Sequence, residues 1–338
     1  MAESLPINAQ PEPGTGGAPR PEFCRFRCWL DDQPDHLVPR RLLQAFLERG
    51  LMERPLRLNE SCRRVPPYDP PEQLQERPWM LEAISRKGEM LWLEDPETIS
   101  LLPFWIGEEL AATLDRLHCG SLKVWQLPER TRLSLAWAGI LVPEAADARD
   151  CGWAETANRC LEKFRADGYG AVAGLIHPFH ISAMRGYYRR RIRSGEFKLG
   201  DTQSARRYVA YDEPVASFFH HQLTNRVSGL AGELLKPSYC YFGSYQAGAV
   251  LDKHIDREQC AVSVTLCLDY SPEPAHETAW PIHLHPRSGK TTVYQGLGDG
   301  LLYRGCELPH SRDRIPEGHT STSIFFHYVP ASFSGPLH

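Results

Sequence analysis

The spacing of apolar residues changes character along the chain, from helical period in the front half to short β-type runs in the back. Pro39 to Arg49 sets Leu43, Phe46 and Leu47 on one face, with proline at the first position and Gly50 at the end, which predicts a helix. Leu110, Leu114 and Leu117 predict a second amphipathic helix over Gly107 to His118. Lys123 to Val142 fits either a strand or a buried helix, because periodicity does not arbitrate for so apolar a segment. Glu155 to Arg165 reads as a helix closed by Gly168, and Asp167 to Pro178 as a short strand. Ile181, Met184, Tyr188 and Ile192 keep helical spacing, as does one longer run from Val215 through Phe219, Leu223, Val227 and Leu230 to Leu234. From Tyr239 onward, runs such as Val262–Leu268 and Ser321–Tyr328 are split by Gly and Pro, the pattern of an antiparallel jelly roll. A helical front and a β back predict the α+β class. The expected organisation is a Pro/Gly-rich disordered lead-in over 1–22, a mostly helical accessory region over 23–150 with a Pro-rich linker at Val65–Gln73, and a β-rich domain over 151–338.

Composition narrows this only a little. The 338 residues can bury a substantial core, and 42% apolar with 24% charged residues is an ordinary globular balance. A formal charge of −4 argues against whole-protein nucleic-acid binding. No apolar run approaches a membrane span, and MAESLPINAQ has neither a basic nor an apolar stretch, so no secretory signal is expected. Ten cysteines without a CxxC pair fit free thiols in a reducing compartment, so a cytoplasmic location is expected.

The chemistry concentrates in YCYFGSYQAGAVLDKHID, from Tyr239 to Asp256, and in LPHSRD around His310. Read as a strand, Val250–Asp256 points His254 and Asp256 to one face. A third donor from His310 completes two imidazoles and one carboxylate, the ligand set of non-heme Fe(II) oxygenases. With 14 His in the chain, a bare His-x-Asp is not specific. The surrounding order is: Tyr245-x-x-Gly248-x-x-Leu251-x-x-His254-x-Asp256, then Val262–Leu268, then Gly298-Asp-Gly-Leu-Leu-Tyr303, then Leu-Pro-His310, then Ser321–Tyr328. Over roughly Asp167 to Pro330 it resembles the double-stranded β-helix of the Fe(II)/2-oxoglutarate-dependent oxygenases, most nearly the prolyl-hydroxylase branch. That resemblance implies Fe(II) on His254, Asp256 and His310, 2-oxoglutarate and O2 as cosubstrates, and release of succinate and carbon dioxide. It implies hydroxylation of a peptide, protein side chain or amino-acid-like small molecule.

Relatives anchor the C5 carboxylate of 2-oxoglutarate on an Arg or Lys nine or ten residues after the distal His. Here those positions are His319 and Thr320. Three arrangements remain open: His319, Thr320 and Ser321 bind by hydrogen bonds; Arg304, Arg312 or Arg314 reaches in; or the cosubstrate differs. Tyr245 is a further candidate hydroxyl donor. His283 and His285, two apart, offer an alternative ligand pair, while His220, His221 and His276 read as surface or capping residues. Asp269 and Glu277 read as substrate contacts or, more simply, as a solvated face, and Arg257 as half of a structural salt bridge facing away from Asp256. Eight basic residues between Arg185 and Arg207 form either a solvated helix face or a site for an anionic partner, with nucleic acid the least favoured. Two further readings stand beside the oxygenase: a jelly-roll binding module without turnover, and a cupin-like metalloenzyme without a 2-oxo acid. A cation beside the His310 strand would separate them from it.

Overall fold

Five strands lie among the helices of the front half, so the expectation of a mostly helical region there is corrected. They are β1 (Leu56–Leu58), β2 (Cys62–Val65), β3 (Glu89–Glu94), β4 (Leu101–Ile106) and β5 (Leu141–Pro143). The structure is a computed structural model that describes residues 26, 30, 37–65, 89–94, 100–145, 152–287 and 289–337. The expected lead-in over 1–22 and the Pro-rich segment beyond Val65 lie outside the described residues. β1 pairs with β5, and β2-β3-β4 form an antiparallel sheet. β4 escapes an alternation test because Leu101–Ile106 is apolar almost throughout and buried on both faces. Helices occupy Arg40–Glu48 and Glu108–His118, as the apolar spacing predicts. The ambiguous Lys123–Val142 segment holds both elements: a helix over Glu129–Trp137, a left-handed Gly139, then β5.

The back half opens with the Gly152–Asp167 helix, stopped by Gly168 at φ 76°, a conformation that favours glycine. β6 (Tyr169–Val172) follows, then the Pro178–Arg193 helix, β7 (Lys198–Leu199) and β8 (Arg207–Tyr211). The predicted long helix after Val215 is two, Pro214–Gln222 and Thr224–Ala231, broken at Leu223. The remaining strands are β9 (Leu235–Tyr245), β10 (Leu251–His254), β11 (Val262–Ser271), β12 (Ile282–Leu284), β13 (Thr291–Val293), β14 (Gly300–Tyr303), β15 (His310–Arg312) and β16 (Thr320–Pro330). They form two antiparallel sheets, one in the order β6-β14-β11-β16-β9-β8-β7 and one in the order β10-β15-β12-β13. Among the described residues, no helix is long and apolar enough to cross a membrane.

Strand alternation divides the large sheet into two chemically distinct faces. Phe242, Val262, Val264, Leu266, Leu268, Ile324, Phe326 and Tyr328 join Phe179, Met184, Tyr188 and Phe218 from the helices in one core. Phe26, far back in the front half, enters the same core edge-on to Tyr187 and Phe219. The opposite face carries Tyr239, Tyr241 and Tyr245, with Phe325 and His327, and looks across a cavity at β10 and β15. This second face is polar yet buried, which positions the chemistry.

Ion pairs tie the layers together and take up half of the basic run. Arg185, fully buried, donates to Asp269, Glu273 and the Leu37 carbonyl, and Arg189 also pairs with Asp269. Asp269 is therefore a buried counter-ion, which corrects the solvated reading. Arg191 pairs with Glu196 and Glu213, and Arg207 with Asp201, so four of the arginines between Arg185 and Arg207 have internal partners. His220 is likewise buried, its Nε2 donating to the His327 carbonyl (2.8 Å), and is no surface residue.

Candidate metal centre

β10 and β15 run side by side, with His254 directly opposite His310. Their rings stand 4.3 Å apart, and the Asp256 carboxylate closes the triangle: Oδ1 lies 3.7 Å from His254 Nε2 and 3.6 Å from His310 Nε2. One donor atom from each residue lies within 4.8 Å of the other two. The three sequence-predicted ligands therefore converge on one point.

Hydrogen bonds fix which atoms face that point. His254 Nδ1 donates to the Asp252 carbonyl (2.7 Å) and His310 Nδ1 to the Leu308 carbonyl (3.1 Å), leaving both Nε2 lone pairs free. Burial holds the His310 imidazole below the ordinary histidine range, against the pull of Asp256, which favours the neutral, ligating form. Asp256 Oδ2 accepts from Ser263 Oγ (3.0 Å), and that hydroxyl accepts from His327 Nδ1 (2.9 Å). Burial lowers His327 to about 4, so the imidazole is neutral. Gly305 completes the support, since a Cβ there would meet the Cys260 carbonyl at 2.4 Å and Asp256 Oδ2 at 2.5 Å. Asp256, Cys260 and His327 form a second, overlapping donor group. Burial, then Asp256, pushes the Cys260 thiol up to about 12, so it stays protonated against the Tyr239 hydroxyl (3.0 Å).

The triad opens into a cavity of about 360 Å³. Three arginines line it, and their charge balance differs. Arg207 donates to Asp201 (2.8 Å), Gln203 (2.7 Å) and the Tyr245 hydroxyl (2.7 Å), so its charge is matched. Arg312, fully enclosed, donates to the Trp280 carbonyl (2.7 Å) and Gln295 Oε1 (3.1 Å) and lies 4.7 Å over the Trp280 ring. Among the described residues no carboxylate pairs with it, and burial pulls its pKa below the usual arginine value. Arg257 sits at the rim over the Tyr239 ring, 4.5 Å away. β10 ends at His254, so strand alternation no longer governs Arg257, and the expected outward salt bridge is replaced by a place on the cavity wall.

Of the proposed cosubstrate contacts, Tyr245 and Arg312 line the cavity. Arg304 packs over Phe164, near Glu233, and Arg314 donates to the Gly248 carbonyl, so neither forms part of its wall. The His319 ring bonds the Tyr270 hydroxyl (2.8 Å), while Thr320 and Ser321 stand opposite Ser271 and Tyr270 in the sheet, outside the lining. His283 bonds Thr292 and Asp313, and His285 approaches Ser311, so neither is a ligand of this centre. Arg207 and His327 were not singled out from sequence. His327 is the one polar position in the otherwise apolar run Ile324–Val329, and that break is the sequence signal that flags it.

No family model and no curated protein matches the chain. Among solved structures, a Pseudomonas putida prolyl-4-hydroxylase aligns at 18% identity over 52% of this chain and 100% of its own, with a TM-score of 0.42. HygX from Streptomyces hygroscopicus, solved with nickel, 2-oxoglutarate and hygromycin B, aligns at 16% identity over 51% and 87%, TM-score 0.41. A 2OG-Fe(II) oxygenase family protein from Burkholderia pseudomallei aligns at 11% over 52% and 89%, TM-score 0.40. The solved structures that this chain resembles are iron- and 2-oxoglutarate-dependent oxygenases. At TM-scores under 0.5 that likeness assigns no activity, and the chemistry rests on the donors themselves.

Proposed function

We propose that the chain is an Fe(II)- and 2-oxoglutarate-dependent dioxygenase built on a jelly-roll domain, hydroxylating a peptide, protein side chain or amino-acid-like molecule with release of succinate and carbon dioxide. One observation carries the reading. A three-donor face and a buried arginine that has no acidic partner among the described residues lie two residues apart on β15, at His310 and Arg312.

The donor set fits Fe(II): His254 Nε2, His310 Nε2 and Asp256 Oδ1 would hold it on one face and leave the other positions open. Donors about 2.1 Å from one ion stand about 3 Å apart when adjacent. The separations of 3.6 and 3.7 Å close to that by a small side-chain rotation. With iron, 2-oxoglutarate and O2 bound, such a centre supplies the oxidant for a substrate C–H bond. The protein's own part is placement. Backbone carbonyls hold both imidazoles in one tautomer, and Ser263 fixes the outer carboxylate oxygen. Arg312 offers a planar fork to the distal carboxylate of 2-oxoglutarate, and the buried Tyr245, Trp280 and Tyr303 exclude water around it.

Anaerobic addition of Fe(II) and 2-oxoglutarate tests this. A weak visible charge-transfer band, lost in His254→Ala, and O2-dependent succinate release are expected. Normal iron loading with no band would overturn the 2-oxoglutarate assignment.

A further inference from the structure

The cavity mouth has a composition unlike its floor. Tyr211, 63% exposed, and Ile255, 55% exposed, are large apolar side chains standing in solvent at the wall of the cavity. Exposed apolar groups grouped at a cleft mark a binding surface rather than a core. Behind them Tyr239, Tyr241 and Phe325 continue an aromatic wall inward. Into this wall projects one cation. Arg257 stacks on Tyr239, donates weakly to its hydroxyl (3.3 Å), and has no carboxylate partner among the described residues. The neighbouring Arg207 cannot play the same part, because Asp201 already matches it. Arg312 lies deeper, behind the triad, where the cosubstrate is placed.

We propose that the substrate is a small anionic molecule, a carboxylate borne next to an apolar or aromatic group, and that Arg257 is the residue that selects it. This rests on the oxygenase reading, because the cosubstrate is assigned to Arg312 and the substrate to what remains. The volume also speaks for a small molecule: about 360 Å³ shared with 2-oxoglutarate leaves room for a group of amino-acid size. Arg257 and the three donors line the same cavity, so a carboxylate held on the guanidinium would sit in the space onto which the centre opens. The stacked guanidinium is oriented by the Tyr239 ring before the substrate arrives, which lowers the ordering cost of binding.

The test uses the full chain loaded with Ni(II) and 2-oxoglutarate, which permits binding without turnover. N-acetyl-leucine and N-benzoylglycine are titrated calorimetrically against their neutral amides. The acids are expected to bind about tenfold more tightly, the worth of one charge-assisted contact. Arg257→Gln should bring the ratio to about one, and Arg257→Lys should restore part of it. Persistence of the acid preference in Arg257→Gln, or equal binding or no binding of acids and amides in the wild type at millimolar concentration, overturns the proposal. Nickel and 2-oxoglutarate affinities from the same titrations report on the oxygenase reading separately. If those fail, the same acids and amides titrated against the metal-free chain still decide the role of Arg257.

Discussion

Replacing Arg312 with methionine separates the cost of a buried charge from its use. A cation and a carboxylate about 4 Å apart at an effective dielectric of about 20 attract by about 4 kcal/mol. Losing that pair should weaken 2-oxoglutarate binding about a thousandfold. The same substitution removes a fully buried cation that, among the described residues, donates to the Trp280 carbonyl and Gln295 Oε1 and has no carboxylate beside it. Relief of that unpaired charge is worth several kcal/mol, against two hydrogen bonds of about 1.5–3 kcal/mol each. These terms are of similar size, so the ligand-free protein should melt close to the wild type. Wild-type protein at a thousand times Kd of 2-oxoglutarate should gain about 4 kcal/mol, and Arg312→Met should gain almost nothing. Calorimetric titration and thermal melts with and without 2-oxoglutarate, both under Ni(II), read the two quantities. A variant that binds 2-oxoglutarate with wild-type affinity would refute the assignment and move the carboxylate to Arg207 or to the His319–Ser321 end of β16. A wild-type protein that melts far below Arg312→Met would show instead that the charge is a pure liability.

Three more outcomes follow from the same packing. Gly305→Ala forces a methyl within 2.5 Å of Asp256 Oδ2 and against the Cys260 carbonyl; it should cost about 1–3 kcal/mol in denaturant melts and 10–100-fold, roughly, in Ni(II) affinity, and unchanged metal binding would refute the support role. Gly229→Ala, on an exposed turn of the Thr224–Ala231 helix with open space around its Cα, should stabilise by about 0.5–1 kcal/mol in the same melts. Burial lowers His177 to about 3, His180 and His327 to about 4, and His220 well below its usual value. The unfolded chain protonates these groups near 6.5 while the folded one does not, so each contributes stability that is present above that pH and lost as pH falls toward its folded pKa, by up to about 1.4 kcal/mol per pH unit. Urea melts between pH 7.5 and 5 should show uptake of more than two protons on unfolding; a flat profile over that window would contradict it.

How much of this was legible in the chain depends on distance along it. His254, Asp256 and His310 were readable because each sits in a short segment whose chemistry is local, and antiparallel pairing of β10 with β15 does the rest. Strand alternation accounts for His254 alone: β10 stops there, and Asp256 reaches the centre from an irregular segment, anchored by its own backbone N–H to the Gly305 carbonyl. The same early stop turned Arg257 from an outward residue into a wall of the cavity. Arg312 could be named only as one of three arginines near His310; what distinguishes it from Arg304 and Arg314 is its enclosed place in the cavity wall, and that is a property of tertiary neighbours. Arg207 was hidden among eight basic residues for the converse reason, since its match to Asp201 depends on the β7–β8 turn. β3 and β4 were missed because strands buried on both faces lose the alternation that reveals a half-buried one, and β1, β2 and β5 because three or four residues are too short to show a period. Local spacing thus exposes the metal donors, while the two cations that would choose cosubstrate and substrate, without an acid beside them among the described residues, emerge only after Arg207 has been matched to Asp201.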